Sequence, residues 1–208
     1  MSIKANEIKN MFISGCQSII RNKDTLTEID STFGDGDHGI TMEKIASTML
    51  HKLQTLEEGV DLHIFFDELG FEVLCINGGS AAPLWGTFIT SMALGIKEES
   101  KELSVDDIKL MFRYGLEELC DITTARIGDK TMMDTLILAV EGMNNNSEEL
   151  EEVIKLAMEK AILGAKNSEN YIAKYGRAKS YKEKTIGTPD AGAESMKYFF
   201  IGLYEGVK

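Results

Sequence analysis

The chain has 208 residues, 43% of them hydrophobic, with 34 Asp plus Glu against 22 Lys plus Arg, a formal net charge of −12. That length and apolar content suit one domain, 1–208, with a buried core, and exclude a disordered chain. The charge argues against a nucleic-acid binder, whose affinity rests on cationic side chains, so any phosphorylated ligand must be met by a cation or by backbone N–H groups. No run approaches the roughly 20 apolar residues of a membrane span, and Met1 to Asn10 lacks a signal-peptide core. Cys16, Cys75 and Cys120 lie far apart with no CxxC pair, so a cytoplasmic protein with reduced, mostly buried thiols is expected.

Apolar residues recur at helical spacing along most of the chain. Ile8, Met11, Phe12, Gly15 and Ile19 share one face of a first helix. The segment from Leu62 to Ile76 is so densely apolar that a helix buried on most sides is expected. Ser104 and Asp107 form a capping-box pair ahead of a stripe of Val105, Ile108, Phe112, Gly115 and Leu119. After three asparagines, Ser147 is placed to cap a helix with Leu150, Val153, Ile154, Ala157, Ala161 and Gly164 as its inner face. Alternating β-branched runs are missing, so strands are not favoured. The expectation is an all-α domain of seven to nine helices, taking ~15–20 residues for each helix with its loop.

Four glycine-containing segments between these helices hold the unusual chemistry. The first runs from Asp30 to Met42 and carries Asp30, Asp35 and Asp37 beside Gly34, Gly36 and Gly39. It is not an EF-hand, because counting from Asp35 the fifth and twelfth positions are Gly39 and Ala46. Nor is it a Walker A loop, since Ile40 stands where the lysine belongs. A hard-cation site fits, with carboxylates on Mg²⁺ and the metal on phosphate oxygens; a plain Asp-Gly turn is the alternative. His38, among acids and glycines, can donate to a ligand oxygen or cap a helix, whereas His51 and His63 are assigned to solvent. The second segment, Asn77 to Thr87, offers small residues and free N–H groups before a new helix, an anion-binding arrangement that close helix packing explains equally well. In the third, Gly128 to Asp134, Lys130 or Thr131 could meet phosphate, or Asp129 and Lys130 could be a surface pair; Met132 and Met133 are more often core than base contacts. The fourth, Gly176 to Ala193, holds Arg177, Lys179, Lys182 and Lys184, the one basic cluster of an acidic chain. It is either a solvated loop or the source of an arginine for phosphoryl transfer.

Taken in order, Gly-Asp-Gly-Asp-His-Gly, Gly-Gly-x-x-x-Pro-Leu-x-Gly-Thr, Gly-Asp-Lys-Thr-Met and Gly-Arg-Ala…Ile-Gly-x-Pro-Asp resemble the ADP-binding (L) subunits of bacterial dihydroxyacetone kinase across essentially the whole chain. The resemblance implies a closed barrel of about eight antiparallel helices with the nucleotide site in loops at one end. It implies two Mg²⁺ ions on Asp30, Asp35 and Asp37. It implies an ADP/ATP site drawn from His38, Gly39, Ile40 and Thr41, from Ser80 and Ala81, from Thr123, Met132 and Arg177, and from Asp190, Ala191 and Gly192, with Arg177 as the catalytic residue. In such a system a phosphohistidine protein of the phosphotransferase system (M subunit) recharges bound ADP, and the phosphoryl group passes to dihydroxyacetone on a separate K subunit; a homodimer is also compatible. The sequence departs from the family pattern at Thr41, Ala81-Ala82, Thr123, Thr188 and Lys184. Three other readings stand beside this one: a relative serving another small ketose, a Mg²⁺–nucleotide sensor without transfer, and a stand-alone phosphatase. Arg177 together with the three aspartates favours the enzyme.

Overall fold

The structure, a computed structural model, describes residues 2–208. Nine α-helices form within them: α1 Ala5–Arg21, α2 Lys23–Phe33, α3 His38–Gln54, α4 Leu62–Leu74, α5 Ala81–Met92, α6 Val105–Ile122, α7 Met132–Met143, α8 Leu150–Ser168 and α9 Ala191–Val207. Short 3-10 segments follow α5 (Ala93–Gly95) and precede α9 (Arg177–Thr185). Against the expectation of no strands, Ile3–Lys4 (β1) and Glu102–Leu103 (β2) pair antiparallel, Ile3 opposite Leu103. The two-residue ladder fastens the N-terminal segment beside the start of α6.

Packing runs α1–α3–α4–α5–α6–α7–α8–α9 and back to α1, with α2 laid against α3 and α9. This is the expected closed all-helical barrel of about eight helices. Its interior is aromatic. Phe12 of α1 meets Phe66 of α4 at 5.0 Å between ring centroids and Phe199 of α9 at 6.0 Å. Trp85 of α5 packs edge-on against Phe199 at 5.3 Å, and Phe112 of α6 lies 5.6 Å from Phe200. Edge and tilted contacts of this kind add to the free energy of burying the rings.

The helix stripes read from the sequence bury as expected in α1 and α6. Ser104 caps α6 by accepting from the Asp107 N–H, while Asp107 accepts in return from the Ser104 N–H at 2.7 Å. In α8 the stripe is buried from Val153 onward, but Ser147 is not the cap: Glu149 precedes the helix, and the Ser147 hydroxyl takes the Glu149 N–H at 3.2 Å, outside it. Helix α4 is less enclosed than its composition suggests, since Ile64 and Phe71 are 53% and 63% exposed. Periodicity cannot tell which side of a helix that is apolar nearly all round finds a neighbour. Of the three thiols only Cys16 is buried; Cys75 and Cys120 are exposed, against the expectation of mostly buried thiols. His63 is also not solvated, because its Nδ1 lies 2.9 Å from the Ala93 carbonyl and 3.0 Å from that of Ile96, at the turn after α5.

The ring closes at the α1–α9 seam, where small residues let backbones touch. A Cβ on Gly202 would lie 2.3 Å from the Ser14 carbonyl oxygen and 2.6 Å from Gly15 Cα. Neither partner is the end of a flexible side chain, so the helices themselves would have to separate. Gly202→Ala is therefore expected to lower the unfolding free energy by about 1–3 kcal/mol, the cost of overpacking a tight core. Urea denaturation measures this, and an unchanged midpoint would show that the seam can slide.

Candidate functional site

At one end of the barrel, helix termini and the loops between them surround a cleft of about 590 Å³, a size usual for small-molecule sites. One wall is apolar, built from Leu84 and Trp85 of α5, Ile122 at the end of α6, and Met132 and Met133 of α7. The polar side is made by Asp30, His38, Arg177 and the start of α9 at Asp190, Ala191 and Gly192.

Asp30 is not in a loop but in the last turn of α2, and α3 already begins at His38. Between them the chain reverses in four residues. Gly36 takes φ +72°, and a Cβ on Gly34 would sit 2.1 Å from Asp30 Oδ1. The reversal is held by the Asp30 carboxylate, whose Oδ2 accepts from the Asp37 N–H at 3.1 Å and the His38 N–H at 3.3 Å. Asp30, Asp35 and Asp37 thereby each offer a carboxylate oxygen within 4.8 Å of the others. Arg177 reaches Asp35 at 2.5 Å; among the described residues no cation pairs with Asp30 or Asp37. Three convergent carboxylates with one guanidinium leave an excess of negative charge, and an all-oxygen donor set is what Mg²⁺ or Ca²⁺ takes. The residues present fit a hard divalent cation.

His38 lies behind the α9 N-terminus. The Ser195 hydroxyl donates to the Gly192 carbonyl at 2.9 Å, which leaves its oxygen to accept from His38 Nε2 at 3.2 Å. Burial lowers the imidazole pKa, against the opposing pull of Asp30 and Asp37. Asp190 caps α9 by accepting from the Ala193 N–H at 2.8 Å, and its own N–H donates to Ser168 Oγ at 3.0 Å.

Ser80 and Ala81 stand at the start of α5, with Gly79 at φ +55° before them, and both border the cleft. Thr123 ends α6 in extended conformation and Met132 opens α7; both line the cleft, Met132 while 95% buried, so it is core and ligand wall at once. Five residues of the expected site do not line it: Asp35 and Asp37 of the α2–α3 reversal, and Gly39, Ile40 and Thr41 of α3. Gly39 is where α3 presses on α2, since a Cβ there would be 2.1 Å from the Lys23 carbonyl oxygen. Ile40 is 52% exposed, and Thr41 lies under the Gly78 turn.

In the Gly128–Asp134 segment the surface pair of Asp129 with Lys130 does not form, while Lys130 and Thr131 both border the cleft. Asp129 pairs not with Lys130 but with Lys174 at 2.5 Å. Burial alone would raise the Asp129 pKa, but Lys174 and the Arg126 N–H bring it below the usual carboxylate range. Lys130 is buried with its ammonium on two backbone carbonyls, and Thr131 caps α7, its hydroxyl accepting from the Met133 N–H. The basic cluster is a 3-10 strap, fixed to the α2–α3 reversal by Arg177–Asp35 and to the end of α2 by Phe33 against Tyr181 at 5.0 Å, with Lys179, Lys182 and Lys184 exposed. Sequence reasoning missed Leu84, Trp85 and Tyr175. The only signal for Tyr175 was its place beside Gly176-Arg177; its hydroxyl lies 2.7 Å from Thr124 Oγ1, joining the end of α6 to the strap.

The model of the DAK2 domain matches residues 32–205. The chain belongs to the DAK2 family. This DAK2 chain is 30% identical over 202 residues to the ADP-binding subunit DhaL of the PEP-dependent dihydroxyacetone kinase of Escherichia coli, covering 95% of each. To a probable dihydroxyacetone kinase of Dictyostelium discoideum it is 28% identical, covering 93% of this chain but 32% of that protein. In fold it is similar to the dihydroxyacetone kinase of C. freundii, solved with AMP-PNP and Mg²⁺, at TM-score 0.71 and 22% identity, over 95% of this chain and 33% of the other. The DAK2 chain thus spans about a third of the long kinases it matches and nearly all of the separate subunit.

Enclosure raises the Asp190 carboxyl to about 7, although the residue itself keeps some surface. An acid held above its unfolded value keeps its proton in the folded state while the unfolded chain has lost it, so its contribution to stability falls as pH rises from about 4 to about 7. Asp190→Asn, which can still accept from Ala193, should remove that fall. Urea melts of both proteins at pH 4.5, 6 and 7.5 should converge at the acid end and separate in favour of the variant at the basic end; parallel curves would contradict a raised pKa.

Proposed function

We propose that residues 1–208 act as one nucleotide-binding domain, the ADP-binding subunit of a cytoplasmic dihydroxyacetone kinase, which transfers a phosphoryl group from Mg²⁺-bound ATP to dihydroxyacetone held on a separate K-type subunit. The nucleotide would stay bound and be recharged from ADP by a phosphohistidine protein. The observation that carries this reading is the carboxylate cluster that meets the cleft at Asp30, with Arg177, which also lines the cleft, drawn onto it at Asp35. It is supported by the near-full-length match to a subunit named for binding ADP.

Asp30, Asp35 and Asp37 would hold one or two Mg²⁺ ions, which when bound would supply positive charge to offset that of phosphate groups. The rest falls to the chain's own groups. The first turn of α9 presents N–H groups and the positive end of a helix dipole to an anion. Leu84, Trp85, Met132 and Met133 offer an apolar face to a base and exclude water. Arg177, 70% exposed and paired with Asp35, lines the cleft, where its guanidinium would be available to a phosphoryl oxygen. Among the described residues no helix is long and apolar enough to cross a membrane.

Because a diphosphate cannot approach three carboxylates unaided, ADP binding should need Mg²⁺. Ligand at ~100 times its dissociation constant adds roughly 2.7 kcal/mol to the unfolding free energy, at roughly 2–4 °C in Tm per kcal/mol for a chain of this size. Mg²⁺ with ADP should therefore raise Tm by several degrees, either alone should do much less, and Asp35→Asn or Asp37→Asn should abolish most of the joint shift. Equal protection by ADP in EDTA would remove the metal-bridging reading.

For Arg177 the expected signature is kinetic. In an assay completed with a K-type subunit, Arg177→Ala should lower kcat by about 10³-fold while leaving ADP affinity within a few-fold, as for a group acting on the transition state. A matching loss of ADP affinity would make Arg177 a ground-state contact instead.

A further inference from the structure

Lys130 is the only buried lysine among the described residues, at 4% exposure, and it borders the cleft. It forms no ion pair: its ammonium donates to the carbonyls of Ser168 at 2.6 Å and Thr188 at 2.5 Å. A buried cation without a direct carboxylate partner is costly, and Lys130 also takes φ +60°, a conformation rare for a residue with a side chain. Two unfavourable features in one residue, maintained by its surroundings, point to a role outside simple packing. Its contacts indicate which. Ser168 ends α8, so the cation sits at the negative end of that helix. The Ser168 hydroxyl takes the Asp190 N–H, and Thr188 is two residues before Asp190, the cap of α9. Lys130 itself directly precedes Thr131, the cap of α7. One ammonium therefore joins the start of α7, the end of α8 and the turn into α9.

We infer that Lys130 is a positioning residue for the nucleotide, fixing the Thr188–Gly192 turn so that Asp190, Ala191 and Gly192 stand where the cleft needs them, without itself contacting phosphate. This rests on the reading of the α9 N-terminus as a nucleotide contact. From the sequence Lys130 could meet phosphate or pair with Asp129 at the surface; the structure gives two of its three N–H groups to backbone.

Two variants of the full chain test it: Lys130→Met, which keeps the length and removes the charge, and Lys130→Gly, which also relieves the positive φ. Calorimetric titration with ADP in Mg²⁺ and amide hydrogen exchange are the measurements. Both variants should bind ADP tenfold or more weakly, bind Mg²⁺ alone as the parent does, and exchange faster at Ala191 to Ala193 but not in the middle of α1 or α6. A glycine variant with parental ADP affinity would overturn the inference, and so would faster exchange throughout the barrel or failure of both variants to fold, since the lysine would then serve the barrel and not the turn. If the parent chain binds no ADP in Mg²⁺, the nucleotide reading itself fails, and the exchange pattern still decides whether Lys130 holds the turn.

Discussion

Closure of the helical ring at the α1–α9 seam is the constraint from which the other contacts follow. Gly15, Gly202 and Gly206 bring the two backbones together: a Cβ on Gly206 would lie 2.7 Å from Met11 Cα, and one on Gly15 2.8 Å from the Phe199 ring. That approach puts Phe12 and Phe199 inside the ring, where rings from α4, α5 and α6 meet them. Elsewhere the same device recurs, with Gly70 of α4 against the Thr90 backbone of α5 and Gly164 of α8 against the Asp134 carbonyl of α7. Small residues set helix spacing and aromatic residues fill what the spacing leaves, and a core of both resists deformation.

A rigid ring lets its open end carry groups that would otherwise repel. The cleft gathers helix termini, whose unpaired N–H and C=O groups need partners, and polar side chains supply them: Asp190 for α9, Thr131 and Asp134 for α7, Lys130 for the last carbonyl of α8. Asp134 is nearly fully buried, its pKa raised by burial and held back by the N–H groups of Thr131 and Gly128. Those acids are taken up by helix caps, whereas Asp30, half-buried, accepts the Asp37 and His38 N–H groups through Oδ2 and brings the exposed Asp35 and Asp37 beside it. The same residue type thus does two jobs within one end of the barrel, separated by how far each carboxylate is enclosed.

Much of this was legible in the sequence where the governing interaction is local. The stripes of α1 and α6, the Ser104–Asp107 box and the three aspartates of one short reversal depend on residues a few positions apart, and spacing reveals them. What escaped depends on distant partners. Lys174 takes Asp129 from 45 positions away, His63 meets carbonyls about thirty positions on, and Lys130 reaches Ser168 and Thr188. Nothing in the neighbouring residues announces such bonds. Gly39 and Thr41, which the family resemblance assigns to the nucleotide site, also pack α3 against its surroundings, a use that only the distant contacts reveal.

The seam has one further consequence, for how the unit can be joined to others. Gly202 faces Ser14 to Ser18 while Gly206 faces Asn10 and Met11, so α1 and α9 run in opposite directions. The start of α9 is at the cleft; its end, with the start of α1, is therefore at the far end of the barrel. Polypeptide attached before Ala5 or after Val207 leaves from the face remote from the cleft and does not cross its mouth. An architecture of this kind can be appended to another domain from either side, or stand as a separate subunit, with the same opening presented to whatever approaches it. The relatives occur in both arrangements, as a third of a long kinase and as nearly the whole of a short one.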